Sequence, residues 1–293
     1  MIYSVVTQVQ QKANTRQACR ILQVSRAGYY AAKRRTKESA TCVASVQVKA
    51  AFIANQSCYG SRRIVDELHA QDIVIGRYKV RRLMRETGLK PVWKRKFVNT
   101  TDSKHDLPVA DNLLNRQFNP PQPDQAWTSD ITYIRTKTGW LYLAAVMELH
   151  SRKIIGRAMS PTMPAELVCR ALRMAIGQRQ PGTKLILHSD RGSQYASHEY
   201  QALLNQYGII CSMSRKGNCW DNAVMERFFL NLKMERVWQR EYANQMEATK
   251  DVTDYIVGFY NCQRRHSSLG NLAPIDFENQ FVAKQPIEVS EIT

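Results

Sequence analysis

Acidic residues are scarce in the first third of this 293-residue sequence: residues 1–100 hold 5 Asp and Glu against 20 Lys and Arg, a balance of +15. The remainder holds 20 against 22, so nearly all of the net charge of +17 sits at the front. A segregated excess of this kind points to a polyanionic partner, nucleic acid first, because surface charge for solubility alone would be spread more evenly. Metal-binding spacings are also missing. The seven cysteines, at 19, 42, 58, 169, 211, 219 and 262, include no C-x-x-C pair, and the six histidines show no H-x-x-x-H spacing, which argues against a zinc ribbon. An odd, scattered set of cysteines suits reduced thiols in a cytoplasmic protein better than a disulfide framework. No N-terminal apolar block resembles a signal peptide, and no apolar run reaches the length of a membrane span.

What is present divides the chain in two. Residues 15–30 place Ala18, Ile21 and Leu22 on one face of a short helix, a turn at Gln23-Val24, and Ser25 as the cap of a second helix. A helix-turn-helix and a plain helical hairpin both fit this segment, and Lys33-Arg34-Arg35 follows as a basic patch. Residues 45–90 predict three helices: one from Val46 to Ala54, a second capped by Ser61 with Ile64, Val65 and Leu68 inward, and a third opened by Gly76. In the third, Val80, Leu83 and Met84 form a narrow core stripe, and Gly88 and Pro91 end it. Arg77, Lys79, Arg81, Arg82 and Arg85 fan over the rest of that helix, a distribution suited to a DNA backbone or groove. A solvated surface helix would carry more acids. Residues 96–124, with Asn119-Pro120-Pro121-Gln122-Pro123, read as a stiff linker.

From Gln125 the pattern becomes α/β. Trp127–Thr136 and Leu141–Leu149 are strand-like and joined by the turn signal Lys137-Thr138-Gly139; Lys153–Met159 is a third strand. A helix over Pro164–Gln178, a strand over Lys184–His188, a helix over Ser197–Tyr207 and a strand over Ile209–Met213 follow, then helices over Asp221–Gln239 and Asn244–Tyr260. Three hairpin strands, a helix, then alternating strand and helix is the order of a ribonuclease-H-like core, a five-stranded mixed sheet with flanking helices. The expected organisation is therefore a helical segment at 1–40, a helix-turn-helix-like unit at 41–95, a linker at 96–124, the α/β core at 125–280 and a tail at 281–293.

Three acids stand out within that core. Asp130 lies inside the first strand, Asp190 at the end of the apolar run Leu185-Ile186-Leu187-His188-Ser189, and Glu226 on the helix after Asp221; 59 residues lie between the first two and 35 between the second and third. A charge placed in an apolar run is costly unless it is paired or bound to metal. In the expected topology the first and fourth strands are neighbours, so Asp130 and Asp190 would project side by side and the helix would bring Glu226 across. Like charges about 4 Å apart repel by roughly 4 kcal/mol at an effective dielectric near 20. A divalent cation removes that cost, and an all-oxygen ligand set selects Mg²⁺ or Mn²⁺. Two such ions suit phosphodiester chemistry. Each acid also has a plainer reading: Asp130 as a polar residue on a half-exposed strand, Asp190 as the maker of the turn Asp190-Arg191-Gly192, and Glu226 on a solvated helix face. Lys233, two turns after Glu226 on the same face, could hold a phosphate or simply be solvated. Asp221 suits a helix cap, Trp220 a packed anchor at the helix entrance, and His188 either substrate contact or packing.

Several blocks carry a resemblance: Ala126-Trp127-Thr128-Ser129-Asp130-Ile131-Thr132-Tyr133, His188-Ser189-Asp190-Arg191-Gly192-Ser193-Gln194-Tyr195, Ser214-Arg215-Lys216-Gly217-Asn218-Cys219-Trp220-Asp221-Asn222-Ala223, Glu226-Arg227-Phe228-Phe229 with Leu232-Lys233, and a closing block around Tyr260-Asn261 and His266-Ser267-Ser268-Leu269-Gly270. Together they resemble the second reading-frame product of two-frame bacterial insertion sequences, in the retroviral-integrase superfamily of DDE transposases. The resemblance implies that Asp130, Asp190 and Glu226 are catalytic and bind two Mg²⁺ ions, that the enzyme nicks the 3′ end of its element and joins the freed hydroxyl to target DNA, and that it acts on terminal inverted repeats as an oligomer with an upstream reading-frame product. Two other functions stay open at this point: a nuclease of the same fold without joining activity, and a DNA-binding regulator without catalysis.

Overall fold

A computed structural model describes residues 14–35, 43–92, 108–215 and 218–283. The basic patch at Lys33-Arg34-Arg35 closes a helix whose last side chains lie outside that description, as do the Lys94-Arg95-Lys96 run and residues 284–293. The front is all helical: α1 (Thr15–Ile21), α2 (Arg26–Arg35), α3 (Val43–Ala54), α4 (Ser61–His69) and α5 (Arg77–Glu86). Ser25 caps α2, its hydroxyl accepting from the Gly28 N–H at 2.9 Å. Two local expectations are corrected. Ile21 faces solvent at 74% exposure, and Cys19 takes the inward place beside Ala18 and Tyr29. Ser61 is the first residue of α4 rather than its cap; extended Gly60 holds the cap position without a side-chain bond.

Helices α3 to α5 enclose one core of Val48, Ala51, Phe52, Ile64, Leu68, Val80, Leu83 and Met84. The apolar stripe of α5 is the one expected from its i, i+3, i+4 spacing, and Gly88 (φ 69°) takes the left-handed position after the helix end. Arg77, Lys79, Arg81, Arg82 and Arg85 are all exposed, leaving the outer face of α5 strongly cationic.

The second half is a five-stranded mixed sheet in the order β3-β2-β1-β4-β5. Strands β1 (Ala126–Thr136), β2 (Gly139–Glu148) and β3 (Ile154–Ser160) form an antiparallel meander; β4 (Ile186–Ser189) and β5 (Ile210–Met213) add in parallel. Parallel strands need crossovers, and α6 (Ala165–Arg179), then the short α7 (Ser193–Ala196) with α8 (His198–Gln206), supply them. These helices cover one face, packing on Trp127, Ala144, Val146, Ile155 and Leu187. The other face, carrying Ile134, Leu143, Ala145 and Met147, is covered by α9 (Ala223–Glu235), α10 (Gln245–Asp254) and a π-helical turn at Tyr255–Tyr260. The closing helix α11 (Pro274–Ala283) is tied on through Glu278, which takes Lys153 at 2.7 Å and Arg179 at 2.9 Å.

The helical front is seated on this core. The Tyr59 hydroxyl donates to the Gln263 carbonyl (3.1 Å) and accepts from the Arg265 N–H (2.7 Å), while the Arg265 guanidinium pairs with Glu67 at 2.9 Å. The described part of the segment read as a linker, 108–124, is held as well: Leu113 and Leu114 N–H groups donate to Ser212, and Arg152 donates to the Phe118 carbonyl and to Asn119.

Candidate active site

Register brings the first two acids together. Strand β1 pairs with β4 through Ala126–Ile186, Trp127–Leu187 and Thr128–His188. Two residues further along both strands stand Asp130 and Asp190, and neighbouring strands lie about 4.8 Å apart. By alternation Asp130 shares a face with Thr128 and Ile134, the face covered by α9. The Thr128 hydroxyl donates to the Asn222 side-chain carbonyl at 2.8 Å, which pins the start of α9 to β1. Glu226 then lies in the first turn of α9.

The electrostatics match that placement. Burial first, then the charge of Asp190 and more weakly that of Glu226, push the Asp130 carboxyl well above the usual carboxylate range; the Ile131 N–H, donating at 2.7 Å, and Lys233 oppose the rise. Partial desolvation lifts Glu226 in turn. Asp190 accepts from the Gly192 N–H at 2.9 Å, so it does build its turn as well as face Asp130. Gly192 is constrained by that closeness, since a Cβ there would lie 3.1 Å from the Asp190 oxygen. The Lys233 ammonium sits 4.5 Å from the centre of the Tyr133 ring, half-buried, with burial lowering its pKa and Asp130 raising it. The three carboxylates do not draw within 4.8 Å of one another as a set. Among the described residues that spacing is met by Glu166, Cys169 and Glu199, of which Glu166 is also taken by Arg173 at 2.9 Å.

The neighbours of the acids correct two expectations. Asp221 does not cap α9. Its buried carboxylate accepts from the Arg215 N–H and guanidinium, from Arg116 Nε at 2.8 Å and from Asn112 at 2.9 Å, and these donors, Arg215 foremost, hold it far below the usual carboxylate range. Trp220 is not packed; it is 68% exposed on a short 3-10 turn, Cys219–Asn222. His188 resolves toward packing: fully buried, its ring is held between Ser212 (2.9 Å) and Ser214 (3.2 Å), and burial lowers its pKa to about 4. The sequence offered no signal for the pairing of Arg116 with Asp221, because 105 residues separate the partners.

Two integrase core domain families match this region, over residues 120–219 and 207–274, and an HTH-like domain family matches residues 43–97. The chain is 42% identical over 269 residues to the 31 kDa protein of insertion element IS600 of Shigella sonnei, covering 90% of this chain and 98% of that one. It is 41% identical over 290 residues to the transposase InsF of insertion sequence IS3A of Escherichia coli (strain K12), covering 97% and 100%. This chain belongs to the IS3 family of insertion-sequence transposases. It is thus an enzyme of the integrase-core superfamily, a DDE polynucleotidyl transferase, with an HTH-like unit in front of its catalytic core. Among solved structures the transposase is similar to the catalytic core domain of BIV integrase, at 21% identity and a TM-score of 0.40, over 55% of this chain and 99% of that one.

Proposed function

We propose that Asp130, Asp190 and Glu226 are the catalytic acids of this transposase and that they hold divalent cations, Mg²⁺ or Mn²⁺, in a two-ion site. The observation that carries the reading is the pairing of β1 with β4, which sets Asp130 beside Asp190; burial first and then both other acids push the Asp130 carboxyl up, against the Ile131 N–H and Lys233. An all-oxygen donor set under that strain fits a hard dication, and nothing in its chemistry favours a softer metal. When bound, such ions supply Lewis-acid activation of the attacking oxygen and stabilisation of the leaving one. The chain's own residues do the rest. Asp130 and Asp190, set on adjacent strands, fix two ligand positions rigidly; Glu226 completes the set from a helix that the Thr128–Asn222 bond ties to the same strand. Lys233 is placed to hold a phosphate oxygen beside them.

The proposed reaction is 3′-end nicking of the element followed by strand transfer. In the first step water displaces the flanking strand and frees a 3′-hydroxyl; in the second that hydroxyl displaces a 3′-oxygen of target DNA. Each step makes one P–O bond and breaks one, so no nucleotide cofactor is required. The exposed cations of α5, Arg77, Lys79, Arg81, Arg82 and Arg85, would bind the DNA backbone electrostatically. The assembled form would be an oligomer on terminal repeats, with the upstream reading-frame product as partner.

Alanine at Asp130, Asp190 or Glu226 is expected to lower Mg²⁺-dependent nicking and joining by at least about a thousandfold, the scale of loss when a group that stabilises the transition state is removed, with DNA affinity unchanged. Gel analysis of end-labelled duplex resolves cut from joined product. Full joining by any one variant would remove that residue from the site, and cutting without joining by the native chain would leave a nuclease.

A further inference from the structure

Trp220 is an exposed indole on a rigid mount. The described residues on either side of it meet the acids' strands: the Ser214 N–H bonds the Ser189 carbonyl at 2.9 Å, next to Asp190, and Asn222 meets Thr128 just before α9 and Glu226. Six residues of helical chain rise only about 9–12 Å, so Trp220 stands near Glu226. Its immediate neighbour Asp221 is wholly buried and bonded by Arg215, Arg116 and Asn112. The turn is therefore fixed from below while the indole faces out. An isolated exposed tryptophan on a floppy loop would need no explanation; one held in place by a buried, fully bonded carboxylate does.

The surroundings suit a nucleic acid strand. Arg116 and Arg215 are each about half exposed, at 43% and 49% of the side chain, so each turns part of its guanidinium to Asp221 and part to solvent. Asn218, on the same turn, accepts from Arg116 Nη2 at 2.8 Å. A flat indole bordered by guanidinium groups offers a face for a base and donors for its phosphates, and base–aromatic stacking tolerates any sequence. We infer that Trp220 stacks on a base at the end of the DNA strand being processed, setting the position of the reacting phosphodiester against the acids, with Asp221 as the positioning residue that aims the indole. This rests on the catalytic reading above.

The test uses the full chain with duplex DNA carrying the element's own terminal repeat and 2-aminopurine at successive positions of the reacting strand end, in Ca²⁺ for binding and Mg²⁺ for reaction. Binding by the native chain is expected to change 2-aminopurine emission at one or two terminal positions. Trp220→Ala should lose that change and slow joining about tenfold or more, whereas Trp220→Phe should keep most of both. Overall affinity by anisotropy should stay within about twofold, and the exposed site should leave the melting temperature unmoved. Joining by Trp220→Ala at the native rate, or an emission change that persists in it, overturns the inference. If the native chain joins no DNA even with the upstream reading-frame product added, the catalytic reading fails, and the emission arm still decides whether the indole stacks.

Discussion

In the proposed site the environment of Asp130 makes it a poor acid. Burial and two like charges favour its protonated form, so a metal ion held there would displace a proton. In the metal-free fold the raised pKa means that folding holds this proton more tightly than the unfolded chain does. Its contribution to stability is therefore present at low pH and lost as pH rises through the folded value. Two outcomes follow. Mn²⁺ affinity should strengthen as pH rises, with net proton release, which calorimetry in buffers of different ionisation heat would detect; a pH-independent affinity without proton release would contradict the assignment. Asp130→Asn should raise the melting temperature in chelator, by about 2–4 °C per kcal/mol of burial cost and repulsion relieved, because an amide carries no charge and its oxygen can still accept from the Ile131 N–H. The same variant should lose the stabilisation that Mn²⁺ gives the native chain. A melting temperature that falls in chelator would mean that Lys233 outweighs burial and the other two acids at Asp130.

Among the elements, β3 packs closely on α6 through Gly156. A Cβ at Gly156 would lie 2.2 Å from the Ala171 carbonyl oxygen and 2.9 Å from the Ala175 side chain. Neither neighbour is the end of a flexible chain, so the helix would have to move away from the sheet. Gly156→Ala should cost about 1–3 kcal/mol, read as a lower midpoint in urea with an unchanged slope. An unaffected midpoint would show that α6 shifts freely. Helix α9 is the other element with more than one duty. It carries Glu226 and the half-buried Lys233 and ends in Glu235, which takes Arg264 at 2.7 Å and the Tyr255 hydroxyl at 2.6 Å in the interior. The helix is thereby fixed at its far end by a buried ion pair and at its start by Asn222.

At the scale of the whole molecule, charge is divided as the residue order suggested: cations on the outer face of α5, and in the core Asp130 within β1 beside Asp190 just past the end of β4. The front does not hang free, since Tyr59 and Glu67 bind it to Gln263 and Arg265 of the core. A chain that binds DNA through the α5 cations should show affinity falling linearly with the logarithm of salt concentration. Replacing Arg77, Lys79 and Arg81 with Ala should reduce that slope by about 0.9 for each phosphate no longer neutralised, measured by anisotropy on duplex DNA. An unchanged slope would move the DNA path away from α5. Among the described residues no helix is long and apolar enough to cross a membrane.

Much of this was legible in residue order. Period-two runs marked the strands, the i, i+3, i+4 stripe marked α5, and Asp130, Asp190 and Glu226 stood out as acids in apolar company. Those signals are local, because backbone periodicity and desolvation cost act over a few residues. What only the tertiary structure decided is non-local. Arg116 reaches across 105 residues to Asp221, Tyr59 and Glu67 seat the helical front on the core, and Trp220 turns outward where an anchor was expected. Each depends on which surfaces meet when the sheet is covered, and a sequence window cannot hold both sides of such a meeting.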